Sequence, residues 1–200
     1  MRHCKKLRLM MLGISISMLA TGASADAGVP MLFVTFPAML LALIPIVLLE
    51  VIVMGRVMGG NASSFVKSAA IANVLSTIVG IPLTWLILVV LEWMTGGSAA
   101  YGISTTMQKF LAVTWQAPWL IPYGGQQLSW MIPTASLFLL VPFFFTSYLI
   151  EAPIVAHIKR DLSRTQVRAA VFRANIASYA GLAVVNVCWL VWALSHAPRT

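Results

Sequence analysis

Two carboxylates close long apolar runs in this chain. Glu50 ends Leu48–Leu49–Glu50, and Glu151 ends Leu149–Ile150–Glu151. Each is followed by an asparagine at nearly the same remove: Asn73 lies 23 residues after Glu50, and Asn175 lies 24 after Glu151. An asparagine amide can donate to a carboxylate, and an arginine can neutralise it. Arg56 and Arg173 are the nearest candidate charge partners. The pairing supports two kinds of chemistry. It can clasp neighbouring helices together, or it can hold a proton or cation inside a membrane, where an ionisable side chain is a functional candidate by default.

The surroundings repeat as well. Asn73 lies in Ala72–Asn73–Val74–Leu75–Ser76 and Asn175 in Ala174–Asn175–Ile176–Ala177–Ser178. A glycine follows each within two turns, Gly80 and Gly181, and a tryptophan further on, Trp85 and Trp189. This reads as a duplicated helical hairpin with both copies in the same orientation.

The composition says what kind of element positions these residues. The chain has 200 residues, 60% hydrophobic and 9% charged, with a mean hydropathy of +0.92. A soluble domain carries about 25% charged residues, so this chain is read as an integral membrane protein. Four segments are apolar enough to cross a hydrocarbon core of about 30 Å, which takes about 20 helical residues. They run over about 31–54, 68–91, 129–151 and 174–194. Strict alternation of the kind a barrel strand needs is missing from all four. Pro37, Pro45, Pro82 and Pro142 fall inside them and are expected as kinks, which neighbouring helices tolerate in lipid. On these bounds Glu50 is four residues from the end of its span and Asn73 five residues into the next, about 6 and about 8 Å deep on the same side. The expected fold is therefore an all-α membrane protein with four transmembrane helices arranged as two related hairpins.

The net charge of +8 is distributed as a topology signal. Arg2, Lys5, Lys6 and Arg8 precede a 12-residue apolar core, Leu9–Ala20, and Ala23 and Ala25 then stand as A-x-A before Asp26. Residues 1–25 read as a signal peptide, leaving 26–200 as the membrane domain; an uncleaved signal anchor is the alternative. Loop 55–67 holds Arg56 and Lys67 without an acid, and segment 152–173 holds Lys159, Arg160, Arg164, Arg168 and Arg173 against Asp161. The positive-inside rule puts both in the cytoplasm and the mature termini outside, as signal removal also does. The localisation expected is a bacterial inner membrane, crossed several times.

The outer link 92–128 is expected to carry a short interfacial helix. Met107, Phe110, Leu111 and Trp115 share a face, and Thr105 and Gln108 have capping-box spacing. A lid over the bundle is the other reading of this helix. Ser163–Gln166 is a second capping-box pattern, starting the fourth helix near Arg164. Asn61–Ser63 fits a glycosylation pattern but falls in a loop assigned to the cytoplasm.

Catalytic signatures are missing: there is no Walker loop, nucleophile elbow or zinc-protease motif. His157 and His196 fall on opposite sides of the membrane, and Cys188 would be the single cysteine after signal removal. No enzyme activity, cofactor, metal or nucleic acid is therefore expected. The first functional reading is a non-catalytic membrane component that assembles in the bilayer with itself or with another membrane protein. The alternative is a small proton- or cation-linked carrier or channel built on the Glu50/Asn73 and Glu151/Asn175 pairs. With Cys188 replaced, cysteines introduced as Ser63→Cys or Ser163→Cys are expected to resist an impermeant maleimide in intact cells and to react after permeabilisation. Labelling of either in intact cells would overturn the topology.

Overall fold

In a computed structural model, the chain is described over residues 29–95, 101–120 and 125–196. Residues 1–25, expected to be a signal peptide, lie outside the described residues. Backbone groups in hydrocarbon must bond within their own segment, so apolar runs of this length become helices. Helix α1 spans Met31–Met58. A 3₁₀ turn at Ala62–Phe65 leads into α2, Val66–Leu75, then a π-helical turn at Ser76–Gly80 and α3, Ile81–Thr95. The short α4, Thr106–Thr114, precedes α5, Gly125–Ile158, and α6, Arg164–Ser195. Two-residue strands, β1 at Val29–Pro30 and β2 at Trp119–Leu120, pair antiparallel. Among the described residues, four helical stretches are long and apolar enough to cross a membrane: Met39–Met58, Ala62–Thr95, Gln127–Ile158 and Arg164–Ser195. Their length and apolar composition are consistent with a multi-pass membrane protein.

Local chemistry sets the boundaries. Gly59 takes a left-handed φ of 67° at the end of α1, and Gly60 N–H donates to the Gly55 carbonyl at 3.2 Å. That 6→1 bond closes the helix as a Schellman motif. Asn61 then starts the 3₁₀ turn, its side chain accepting from Ser63 N–H at 3.0 Å. Pro82 explains the π turn before α3. It has no N–H and its ring crowds the preceding turn, so the distortion falls in the residues just before it. The Asn73 carbonyl meanwhile accepts the hydroxyl of Thr77 at 2.8 Å.

The capping box at Thr105 forms, with Gln108 Oε1 accepting from the backbone N–H groups of Ser104 and Thr105, each at 3.0 Å. The one at Ser163 does not. Ser163 has N-cap geometry where the fourth span begins, but its side chain makes no cap bond. Ser163 and Gln166 are both exposed, where water competes for the same groups.

Packing is layered along the bundle. At the end that carries both short turns, the core is built of small residues: Ala69, Ala72, Ala152, Ala156, Ala170 and Ala174, with Met54, Phe65 and Val171 between them. Lys159 Nζ lies 5.1 Å from the Phe65 ring centroid and joins the two turns. At the opposite end Ala112, Val113 and Ala117, in and just after α4, pack on Met131, Ala135 and Leu139 of α5. Met107, Phe110 and Trp115, the face expected to lie on lipid, are exposed. α4 therefore shows an apolar face outward and covers the bundle with the other.

Gly55 is the most tightly packed of the described glycines. A Cβ there would fall 2.8 Å from the Ala62 Cα, whereas one on Gly60 would meet nothing nearer than Phe65 Cε2 at 3.9 Å. Gly55→Ala is expected to destabilise the protein by about 1–3 kcal/mol through overpacking, and Gly60→Ala by much less. Thermal melts in detergent check this, and equal shifts for the two variants would contradict the packing.

A buried carboxylate–amide–hydroxyl layer

Between the two apolar cores the helices carry a layer of polar side chains. Glu50 and Glu151 are each 2% exposed, and Asn73, Asn175, Ser76 and Ser178 are buried with them. A carboxylate in this position needs donors for its oxygens, because no water-facing surface is left to it. The structure supplies one donor to each oxygen. Asn73 Nδ2 donates to Glu50 Oε2 at 2.6 Å, and Ser178 Oγ donates to Glu50 Oε1 at 2.8 Å. Asn175 Nδ2 donates to Glu151 Oε2 at 2.8 Å, and Ser76 Oγ donates to Glu151 Oε1 at 2.7 Å.

The asparagine in each set comes from the same half of the chain as the glutamate. The serine comes from the other half. Glu50 on α1 therefore reaches both α2 and α6, and Glu151 on α5 reaches both α6 and the π turn. Each donor is also held by its own helix. Asn73 and Asn175 back-bond to the carbonyls of Ala69 and Val171, at 3.1 and 3.2 Å. Ser76 and Ser178 lie 3.1 Å from the carbonyls of Asn73 and Asn175. The second amide atom, Asn175 Oδ1, has no partner among the described residues.

The arginines expected to neutralise the carboxylates do not do so. Arg56 and Arg173 are exposed, and neither bonds to Glu50 or Glu151. Helical phase is the reason. Residues two apart lie on opposite faces of a helix, so Arg173 points away when Asn175 points in. Arg56 is six residues past Glu50, about 240° around at 3.6 residues per turn. Asn186, deeper in the fourth span, donates to the Leu182 carbonyl of its own helix at 2.9 Å.

Several contributors lie outside the two pairs that the spacing identifies. Ser76 and Ser178 lay inside the repeated motif, three residues after each asparagine and so on the same helix face. That spacing could have identified them. Thr84 with Thr146, and Ser147 with Tyr179, bond across helices at 2.8 Å each. Glu92, assigned to the outer link, is instead in α3 and buried, with Oε2 unpartnered among the described residues.

A cavity of about 490 Å³ lies on the α4 side of the polar layer, with walls from all four spans. Glu151, Asn73 and Ser76 form its polar end, while Glu50, Asn175 and Ser178 are not on its wall. The π turn contributes Ser76, Thr77 and Gly80, and π turns are frequent where helices carry a site. No three His, Cys, Asp or Glu side chains converge among the described residues. Comparison with protein-family models, curated proteins and solved structures finds no match to this chain.

Proposed function

We propose that this protein is a non-catalytic component of a bacterial inner membrane, made of two related hairpins that clasp one another through the buried polar layer. One observation carries the reading: each glutamate takes one bond from the asparagine of its own half and one from the serine of the other. Matched motifs making matched bonds support a duplicated hairpin. The Lys and Arg content of the two short turns supports a cytoplasmic location for that end. A stable, largely apolar exterior then suits assembly with a second copy or another membrane protein. A carrier reading has Glu151 on the cavity wall in its favour. Against it, Glu50 is not on the cavity wall, so the two carboxylates do not share one path.

The clasp makes a graded expectation. Gln at position 50 keeps an oxygen for Asn73, and its amide can donate to Ser178, whose hydroxyl can turn to the Asn175 carbonyl 3.1 Å away. Glu50→Gln should therefore cost under about 1 kcal/mol. Glu50→Leu removes two interhelical bonds, each worth about 0.6 and at most about 1.7 kcal/mol in membranes, and should cost about 1–3 kcal/mol. Glu151 should behave alike. Thermal stability in detergent and proton flux in liposomes, measured together, test this. Wild-type flux that vanishes in well-folded Gln variants would overturn the clasp in favour of a carrier.

A further inference from the structure

The polar layer is asymmetric about one feature, the cavity. It has the size of a small-molecule site, which typically spans about 300–1,000 Å³ and is mostly apolar with a few converging polar groups. Leu43, Ile46, Leu139, Phe143, Leu182 and Trp189 give it hydrocarbon and aromatic walls. From Tyr179 to Trp189 on α6 is ten residues, so it runs for about 15 Å along the bundle. Glu151 is the one carboxylate on this wall, and no Lys, Arg or His stands there among the described residues. Its hydrogen bonds from Ser76 and Asn175 come from neutral donors. They satisfy its geometry and supply no counter-charge.

We infer that the cavity is a binding site for a lipophilic organic monocation, with Glu151 as the counter-charge and the apolar walls enclosing the hydrocarbon or aromatic groups. Each part of the ligand is chosen by something on the wall. A neutral molecule would fill the volume without engaging the one acidic group on the wall. Anions would be repelled by it. A hydrated metal ion would lose its water to walls that are mainly hydrocarbon. An organic cation with bulky apolar substituents is weakly hydrated and fits both requirements, and Phe143, Tyr179 and Trp189 add aromatic faces of the kind that attract such ions. Each Glu151 oxygen accepts one bond and keeps a second lone pair for the ligand. The π turn places Ser76 beside the same carboxylate. The inference does not rest on the clasp reading, since a site can be occupied with or without transport.

The test uses tetraphenylphosphonium and its opposite-charged shape analogue tetraphenylborate, each measured separately by equilibrium dialysis against the purified full-length protein in detergent. Saturable binding of the phosphonium is expected, with none of the borate. Glu151→Gln should weaken phosphonium binding by about tenfold or more, the range for losing a charged partner. Ser136→Phe, which narrows the cavity without changing charge, should abolish it while the protein keeps its melting temperature. No saturable phosphonium binding, equal binding of both probes, or full affinity in Glu151→Gln or Ser136→Phe would each overturn the proposal. Failure here leaves the stability and flux results for the clasp untouched, so the two fail separately.

Discussion

The structure depends on satisfying two carboxylates in a place where water cannot. A helix in hydrocarbon has no hydrophobic force pulling it to its neighbour, so close packing and interhelical hydrogen bonds decide its position. Glu50 and Glu151 use every oxygen in that way, and each takes donors from two different helices. Moving one helix by a turn would strand a buried carboxylate. The bonds are individually modest, yet an unbonded carboxylate at 2% exposure would be far more costly than any one of them. The layer therefore fixes the relative register of the spans more than it adds to their stability.

The rest of the architecture follows from where that layer sits. On one side the spans must come close enough for short side chains to reach across, and there half of the buried core is alanine, with Gly55 packed against Ala62. On the other side the core includes Met131, Leu139 and Phe143, and the spans line a cavity. Pro82 starts a new helical stretch at that level, and the π turn before it presents Ser76 to Glu151. α6 carries the matching serine, Ser178, in uninterrupted α-helix. Similar motifs thus make similar bonds from different backbones, and only the first faces the cavity.

Much of this was legible before any coordinates. Apolar run lengths marked the four spans, and the spacing of 23 and 24 residues, together with the depth of each residue, paired Glu50 with Asn73 and Glu151 with Asn175. The serines were visible in the motif but not their partners, because a bond between halves depends on how the halves pack, which no local pattern encodes. The arginines were misassigned by counting proximity along the chain; their helical phase already turned them outward. Likewise the exposed stripe on α4 was legible from its apolar spacing, whereas its buried Ala112 and Val113 are too small to signal a contact. The cavity is a property of four helices together, and nothing in one segment announces it.

The claim that the crossed serine bonds join the two halves is most directly tested by a double-mutant cycle. Unfolding free energies of Glu50→Leu, Ser178→Ala and the double variant, measured in detergent, give the coupling between residues 128 apart in the chain. A coupling of about 0.6–1.7 kcal/mol is expected, with a similar value for Glu151 and Ser76. Additive costs in both cycles would contradict the account.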